Sequence, residues 1–236
     1  MSIFIVENEP KSPVSEAYRT LRTNIQFSSF DKEIKSILVT SSGPEEGKST
    51  TIGNLAFAMT QAGKKVVLVD CDLRKPSVHK KFSISNMTGL SNYLVGEIDF
   101  EGVLTKYSDN LHIIPSGTIP PNPAEMISSN KMKSFIQRCK EEYDCILLDA
   151  PPVIAVTDAQ LLSTEVDGVL LVVASQQADK DAVKKAKELL QNVKANIIGV
   201  VLTKTKSKSG YGKGYGYYYY YSEEDGKGKK KRKKKK

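Results

Sequence analysis

Cysteine and histidine are scarce in this 236-residue chain, with three of the first (Cys71, Cys139, Cys145) and two of the second (His79, His112). An odd number of cysteines without C-x-x-C spacing argues against a disulfide framework and against a thiolate metal site. Neither histidine has a second metal-type residue at helical spacing, so both read as surface or capping residues. No run approaches the ~18 consecutive apolar residues of a membrane helix. The opening MSIFIVENEPKSP has neither the basic start nor the long apolar stretch of a secretory signal, so a cytoplasmic chain is expected. Hydrophobic residues still make up 39% of the sequence and charged ones 26%, the balance of a globular domain with a sizeable core.

A basic body is also lacking. The net charge of +8 suggests nucleic-acid binding when read as an average, but residues 227–236 hold nine of the 35 Lys+Arg and no acid. That leaves 26 basic against 27 acidic groups in residues 1–226. The body is neutral, and no nucleic-acid partner is expected of it.

What is present is an alternation. Residues 12–29 read as a helix, with Ser12 or Ser15 as N-cap, Pro13 in the first turn, and Ala17, Leu21 and Ile25 as its apolar stripe. Apolar runs rich in β-branched residues follow at 36–40, 65–70, 111–115, 145–149, 168–174 and 197–203, too continuous for half-exposed strands. Helix-like segments at 48–62, 124–142, 157–166 and 180–193 lie between most of them. Buried strands alternating with helices predict a parallel sheet covered by helices on both faces, with ligands bound beyond the C-terminal strand ends. Residues 205–236 contain no aliphatic residue, cannot build a core, and read as a disordered tail. The expected organisation is an N-terminal helical segment (1–30), a catalytic domain (31–204) and the tail (205–236).

The first core strand leads into SSGPEEGKSTT (41–51) and then a helix. The phosphate-loop spacing G-x-x-x-x-G-K-[ST], aligned on Gly47-Lys48-Ser49, puts Ser42 where the first glycine belongs, so the fold class is a P-loop NTPase type with a deviant loop. Ser42, Gly43, Pro44, Glu45, Glu46, Gly47, Lys48, Ser49 and Thr50 form the candidate nucleotide cradle. Loop amides and the helix N-terminus face phosphates, Lys48 reaches the β- and γ-oxygens, and the Ser49 hydroxyl takes Mg²⁺. Two other strand ends carry carboxylates. VVLVDCDLRKP (66–76) places Asp70 and Asp72 at alternate positions on one face, and CILLDAPP (145–152) ends on Asp149. Carboxylates there suit a Walker B role toward Mg²⁺, usually through water. Each alone is equally readable as a strand-end turn residue; with the loop they form one set around a metal-nucleotide.

With these motifs in view, the chain resembles the bacterial tyrosine kinases of capsule and exopolysaccharide systems, the BY-kinases, in their separate cytoplasmic Gram-positive form. The resemblance rests on SSGPEEGKST as Walker A, LVDCDLR as the Walker A′ motif particular to the family, ILLDAPP as Walker B, GTIPPNPAEM (117–126), and a C-terminal tyrosine cluster. It implies an ATP- and Mg²⁺-dependent protein tyrosine kinase in which Lys48, Asp70, Asp72 and Asp149 are catalytic. Ser49 contacts the metal, Asp72 and Asp149 reach it indirectly, and Asp70 faces the incoming tyrosine hydroxyl. Glu16, Arg19 and Arg22 match the family's E-x-x-R-x-x-R subunit-contact motif of a ring-shaped homo-oligomer; by spacing alone they form a stripe about 120° wide that reads rather as a solvated charged face with one local ion pair. The resemblance also implies a membrane-anchored activator that is a polysaccharide co-polymerase, an opposing tyrosine phosphatase, recruitment to the inner face of the plasma membrane, and a role in polysaccharide synthesis and export. The alternative is a deviant-Walker partition or septum-positioning ATPase, whose loop carries a signature lysine where this chain has Gly43.

The tail supplies the substrate in this reading. Tyr211, Tyr215, Tyr217, Tyr218, Tyr219, Tyr220 and Tyr221 are seven of eleven tyrosines in the chain, and glycines between them keep the segment pliable. Each phosphotyrosine adds about −1.5 to −2 charges, comparable in sum to the nine basic groups beyond. A polybasic run also suits an anionic membrane surface, at about 1 kcal/mol per basic residue.

Overall fold

The computed structural model of the protein describes residues 3–29 and 33–205. Its seven strands are β1 Ser36–Ser41, β2 Val66–Asp70, β3 Thr105–Ser108, β4 Leu111–Ile114, β5 Cys145–Asp149, β6 Gly168–Ala174 and β7 Ile197–Thr203. They form one sheet in the order β3-β4-β2-β5-β1-β6-β7. Every neighbouring pair is parallel except β3 with β4. The expected all-parallel sheet is thus mixed at one edge. Thr105–Ser108 has no apolar run to announce a strand; it is half exposed and turns back onto β4 through Asp109-Asn110, residue types suited to a two-residue hairpin turn.

Side chains alternate strictly between two cores. Ile37, Val39, Leu68, Leu147, Leu170 and Val172 face one side with Phe4, Ile52, Leu55 and Phe57. Leu38, Val67, Val69, Ile146, Leu148 and Leu171 face the other with Phe135, Leu162 and Leu190. The first face is covered by α1 (Ile5–Asn8), α2 (Pro13–Gln26), α3 (Lys48–Thr60) and α4 (Val78–Phe82), the second by α5 (Leu90–Val95), α6 (Pro123–Ile127), α7 (Asn130–Glu142), α8 (Asp158–Ser163) and α9 (Lys180–Asn192). The expected helix 124–142 is two helices, because Ser129 starts a new one by accepting the Met132 N–H.

The N-terminal helices pack on α3. Ser12 caps α2 with Pro13 in its first turn, but the buried stripe is Tyr18, Leu21 and Ile25, while Ala17 is exposed. Spacings of three and then four follow the 3.6-residue turn, which a constant spacing of four overshoots. Phe4 lies directly on Gly53 of α3, where a Cβ would come within 2.1 Å of the ring. Asn54 Oδ1 accepts the Val6 N–H at 3.0 Å, and Gln61 Nε2 donates to the Val6 carbonyl at 3.0 Å.

At the N-terminal end of the sheet, Asp167 ties strands together. It accepts the N–H groups of Lys35 and Ser36 at 3.1 and 2.8 Å, the Ser36 hydroxyl at 2.8 Å and the Lys140 ammonium at 2.7 Å. Burial opposes its charge, yet these donors outweigh burial and hold the carboxyl below its ordinary range. The three cysteines are free and buried, and burial pushes the thiols of Cys139 and Cys145 up to about 12. His112, expected at the surface or as a cap, is half buried on β4 with Nδ1 2.6 Å from the Tyr143 hydroxyl.

Candidate active site

Strand order sets the site. β5 lies between β2 and β1, so Asp149 is in register with Asp70 on one side and Val39 on the other, and the loop after β1 opens beside it. Three sequence-distant motifs therefore meet at the C-terminal ends of three adjacent strands. Gly47, at φ +93°, turns the loop into α3. This left-handed conformation is easy for glycine. The turn leaves Lys48, Ser49 and Thr50 in the first turn of a 13-residue helix, where free N–H groups point toward any bound anion.

The carboxylates are buried against one another. Asp70 Oδ2 accepts the N–H groups of Ser77 and Val78, each at 3.0 Å, and Oδ1 accepts that of Asp72 at 3.2 Å. Burial first, and the neighbouring Asp149 charge second, raise its carboxyl far above the ordinary ~4. Asp149 is raised too, by burial, with Lys48 and Ser49 acting against the shift. Its Oδ1 is buried with no hydrogen-bond partner. Asp72, 9% exposed, accepts the Lys75 N–H at 2.9 Å; burial raises it and Lys48 partly offsets this. Carboxylates kept above their usual range, one with an orphaned oxygen and all beside a lysine and a hydroxyl, suit a hard divalent cation such as Mg²⁺. Among the described residues no three carboxylate, histidine or cysteine side chains converge as direct ligands. A metal here would therefore rest on Ser49, phosphate oxygens and water, with the carboxylates behind.

Residues beyond the expected set also enter. Ser77, just before α4, has its hydroxyl 2.8 Å from that of Ser49. Lys81, one helical turn further, donates to the Thr50 hydroxyl at 3.3 Å and is among the charges acting on Asp149. Both follow the LVDCDLR motif, and no pattern in the sequence marks them. Arg74 makes a two-point pair with buried Asp158 at the start of α8, at 2.9 and 3.1 Å, fixing the loop that bears Asp72. Of the expected cradle, the Glu46 side chain does not face outward; it folds back to Ser42 and Gly43.

The helical triad lies elsewhere. Arg19 donates to Glu16 at 2.8 Å, to the Pro10 carbonyl at 2.5 Å and to Gln61 at 3.3 Å. Arg22 donates to the Ala58 carbonyl at 2.9 Å. Both arginines thus help moor α2 to the body of the chain. The tyrosine cluster, the polybasic run and the reading of the tail as disordered lie outside the described residues. No helix among the described residues is long and apolar enough to cross a membrane.

Fold and site together define a P-loop NTPase-type domain, and a family model described as an AAA domain matches residues 32–201. The chain is 45% identical over 199 residues to the tyrosine-protein kinase YwqD of Bacillus subtilis, covering 84% of each. It is 38% identical over 205 residues to the putative tyrosine-protein kinase CapB of Staphylococcus aureus, covering 86% of this chain and 90% of that one. The crystal structure of the chimerical protein CapA2B2 superposes with a TM-score of 0.84 at 41% identity, over 86% of this chain and 90% of that one. The chain belongs to the bacterial tyrosine-protein kinases, the BY-kinase family.

Proposed function

We propose that the chain transfers the γ-phosphoryl group of Mg-ATP to tyrosine hydroxyls, first of all those at 211–221 in the tail of a neighbouring subunit. The observation that carries this reading is the juxtaposition of Asp149, with its unpartnered buried Oδ1, with Asp70, Lys48 and Ser49 at the mouth of the phosphate loop.

Loop amides and the start of α3 hold the phosphates, Lys48 spans the β- and γ-oxygens, and Lys81 adds a second positive charge at Thr50. Mg²⁺, when bound, neutralises charge on the β- and γ-phosphoryl oxygens. Ser49 would hold it directly, with Asp149 and Asp72 reaching it through water. Asp70 orients the tyrosine hydroxyl and accepts its proton late. Burial raises that carboxyl toward the phenol's ~10, and Oδ1, which accepts only the Asp72 N–H, keeps a lone pair for the hydroxyl. Most of the rate comes from in-line positioning and charge neutralisation.

The assembly that would bring a tail to a neighbour's site is a ring, with Glu16, Arg19 and Arg22 at the contact. That contact must compete with the internal bonds both arginines make. A membrane-anchored activator, an opposing tyrosine phosphatase, and contact of residues 227–236 with acidic lipid place the kinase at the inner face of the membrane, acting in polysaccharide synthesis and export. Phosphorylation of the tail weakens the lipid contact by opposing the charge of the polybasic run; in sedimentation with acidic vesicles, phosphorylated protein should bind less than unmodified protein, and equal binding would reject this charge switch.

The deciding experiment mixes Lys48→Met full-length chain with active chain lacking residues 206–236, in Mg-ATP and the activator's cytoplasmic segment, and maps phosphotyrosine by mass spectrometry. Phosphate on the tail of the Lys48→Met chain is the expected result. A tail left unmodified rejects transfer between subunits, and no phosphotyrosine in the wild-type control rejects the reading altogether.

A further inference from the structure

Glu46 presents a problem that phosphate binding does not solve. It sits inside an anion cradle, is itself an acid, and is only 4% exposed. No lysine or arginine pairs with it among the described residues. Instead Oε1 accepts the Ser42 hydroxyl at 2.5 Å and the Gly43 N–H at 2.6 Å, and Oε2 accepts the N–H of Ala174, the last residue of β6, at 3.3 Å. Its own carbonyl accepts the Thr203 hydroxyl, at the end of β7, at 2.6 Å. The preceding carbonyl, of Glu45, accepts the Lys204 ammonium at 2.7 Å. Glu45 and Lys204 both hold positive φ, at 59° and 51°, a conformation that costs non-glycine residues and persists only where surroundings impose it.

Three donors converge on the two oxygens of this buried side chain and supply the hydrogen bonds that burial takes away from water. Their positions serve the loop. One oxygen closes it across its base, from Gly43 to Glu46, at the place where the deviant sequence has Ser42 for the first glycine. The other oxygen and the backbone fasten the loop to two strand ends. Gly43 complements this arrangement, since a Cβ there would stand 3.2 Å from Oε1. A side chain at that position, such as the signature lysine of partition-type ATPases, would press on the staple.

We infer that Glu46 is a positioning residue: it contacts no phosphate, but staples the phosphate loop shut and moors it to β6 and β7, so that the loop amides are pre-set for a β-phosphate. This rests on the reading of the loop as the nucleotide site.

The test is equilibrium binding of fluorescent ADP and AMP, each with Mg²⁺, to the full chain, beside thermal unfolding without ligand. Glu46→Ala should weaken ADP about tenfold, equivalent to 1.4 kcal/mol, and AMP hardly at all. Glu46→Gln, which keeps an acceptor for Ser42 and Gly43, should recover most of the loss. Thr203→Val, which keeps shape and removes one mooring bond, should weaken ADP about threefold and serves if Glu46→Ala does not fold. ADP affinity equal to wild type in Glu46→Ala, or in Thr203→Val where that variant stands in, overturns the inference whatever the unfolding midpoint. Equal losses for ADP and AMP also overturn it, because a general structural defect would not single out the β-phosphate. Failure of the wild-type chain to bind ADP would instead reject the underlying site.

Discussion

The two ends of the sheet both carry aspartates, and they use them in opposite ways. Asp167, just before β6, meets four donors including an ammonium group, and its carboxyl is held below the ordinary range. Asp149, at the end of β5, is more deeply buried, faces another carboxylate, keeps an oxygen with no partner, and has its carboxyl raised. One end spends its acid on stability; the other holds an acid in a state that only an incoming cation or proton can satisfy. A cavity of about 480 Å³ opens at the N-terminal end, between Arg22, Met59, Lys64 and Cys145. It contains none of the unpartnered buried polar atoms. Unmet polar demand marks the C-terminal end.

Substitutions can break this contrast. The largest effect is expected from Lys48→Met, which removes the lysine proposed to span the phosphoryl oxygens; tyrosine phosphorylation should fall at least about a hundredfold, measured by phosphotyrosine mass spectrometry at saturating ATP. Asp149→Asn removes one of two facing buried charges. Without ligand it should raise unfolding stability by about 1–2 kcal/mol, read by denaturant titration, while Mg-ADP no longer stabilises the chain. Asp167→Asn should do the reverse, lowering stability by about 1 kcal/mol because the lost bonds are half exposed, with ligand stabilisation intact.

Acidity sharpens the same contrast. A carboxyl raised on folding binds a proton that the unfolded chain has released, so stability from Asp70 and Asp149 falls as pH rises above ~4 toward their raised values. Asp167, lowered on folding, contributes above ~4 and loses its contribution as pH falls below it. The ligand-free chain should therefore lose stability from about pH 5 to 8, and Asp149→Asn should flatten that slope in chemical unfolding. Mg²⁺ competes with the retained proton, so Mg-ADP affinity should rise over the same interval. The smallest expected effect is from Ser77→Ala, which removes the partner of the Ser49 hydroxyl and should weaken Mg-ADP about twofold by calorimetric titration.

How much of this was legible in the sequence follows from what each feature is made of. Strands buried on both faces are continuous apolar runs, and six of the seven could be read directly. The seventh, Thr105–Ser108, depends on pairing with β4 and carries no pattern of its own. Asp70, Asp72 and Asp149 were visible as acids ending apolar runs, since such placement is costly without a purpose. Ser77 and Lys81 were not, because their approach to Ser49 and Thr50 depends on how the chain turns after Pro76. Glu46 was visible as part of the loop, but the fold of its side chain back to Ser42 and Gly43 was not, because spacing does not set side-chain direction. The arginines of α2 taught a similar lesson: a charged stripe on a helix wheel leaves open whether its partners lie inside the chain, and here Pro10, Gln61 and Ala58 supply them.

The central claim is that the carboxylate-bearing end of the sheet is a Mg-nucleotide site. Its most direct test is the thermal unfolding of wild-type, Asp149→Asn and Asp167→Asn chains, each with and without Mg-ADP at about a hundred times the wild-type Kd. Ligand-induced stabilisation of about 2.7 kcal/mol is expected in wild type and in Asp167→Asn, and almost none in Asp149→Asn. Equal stabilisation of all three would contradict it, because the acid left unsatisfied by the fold would then have no part in holding the ligand.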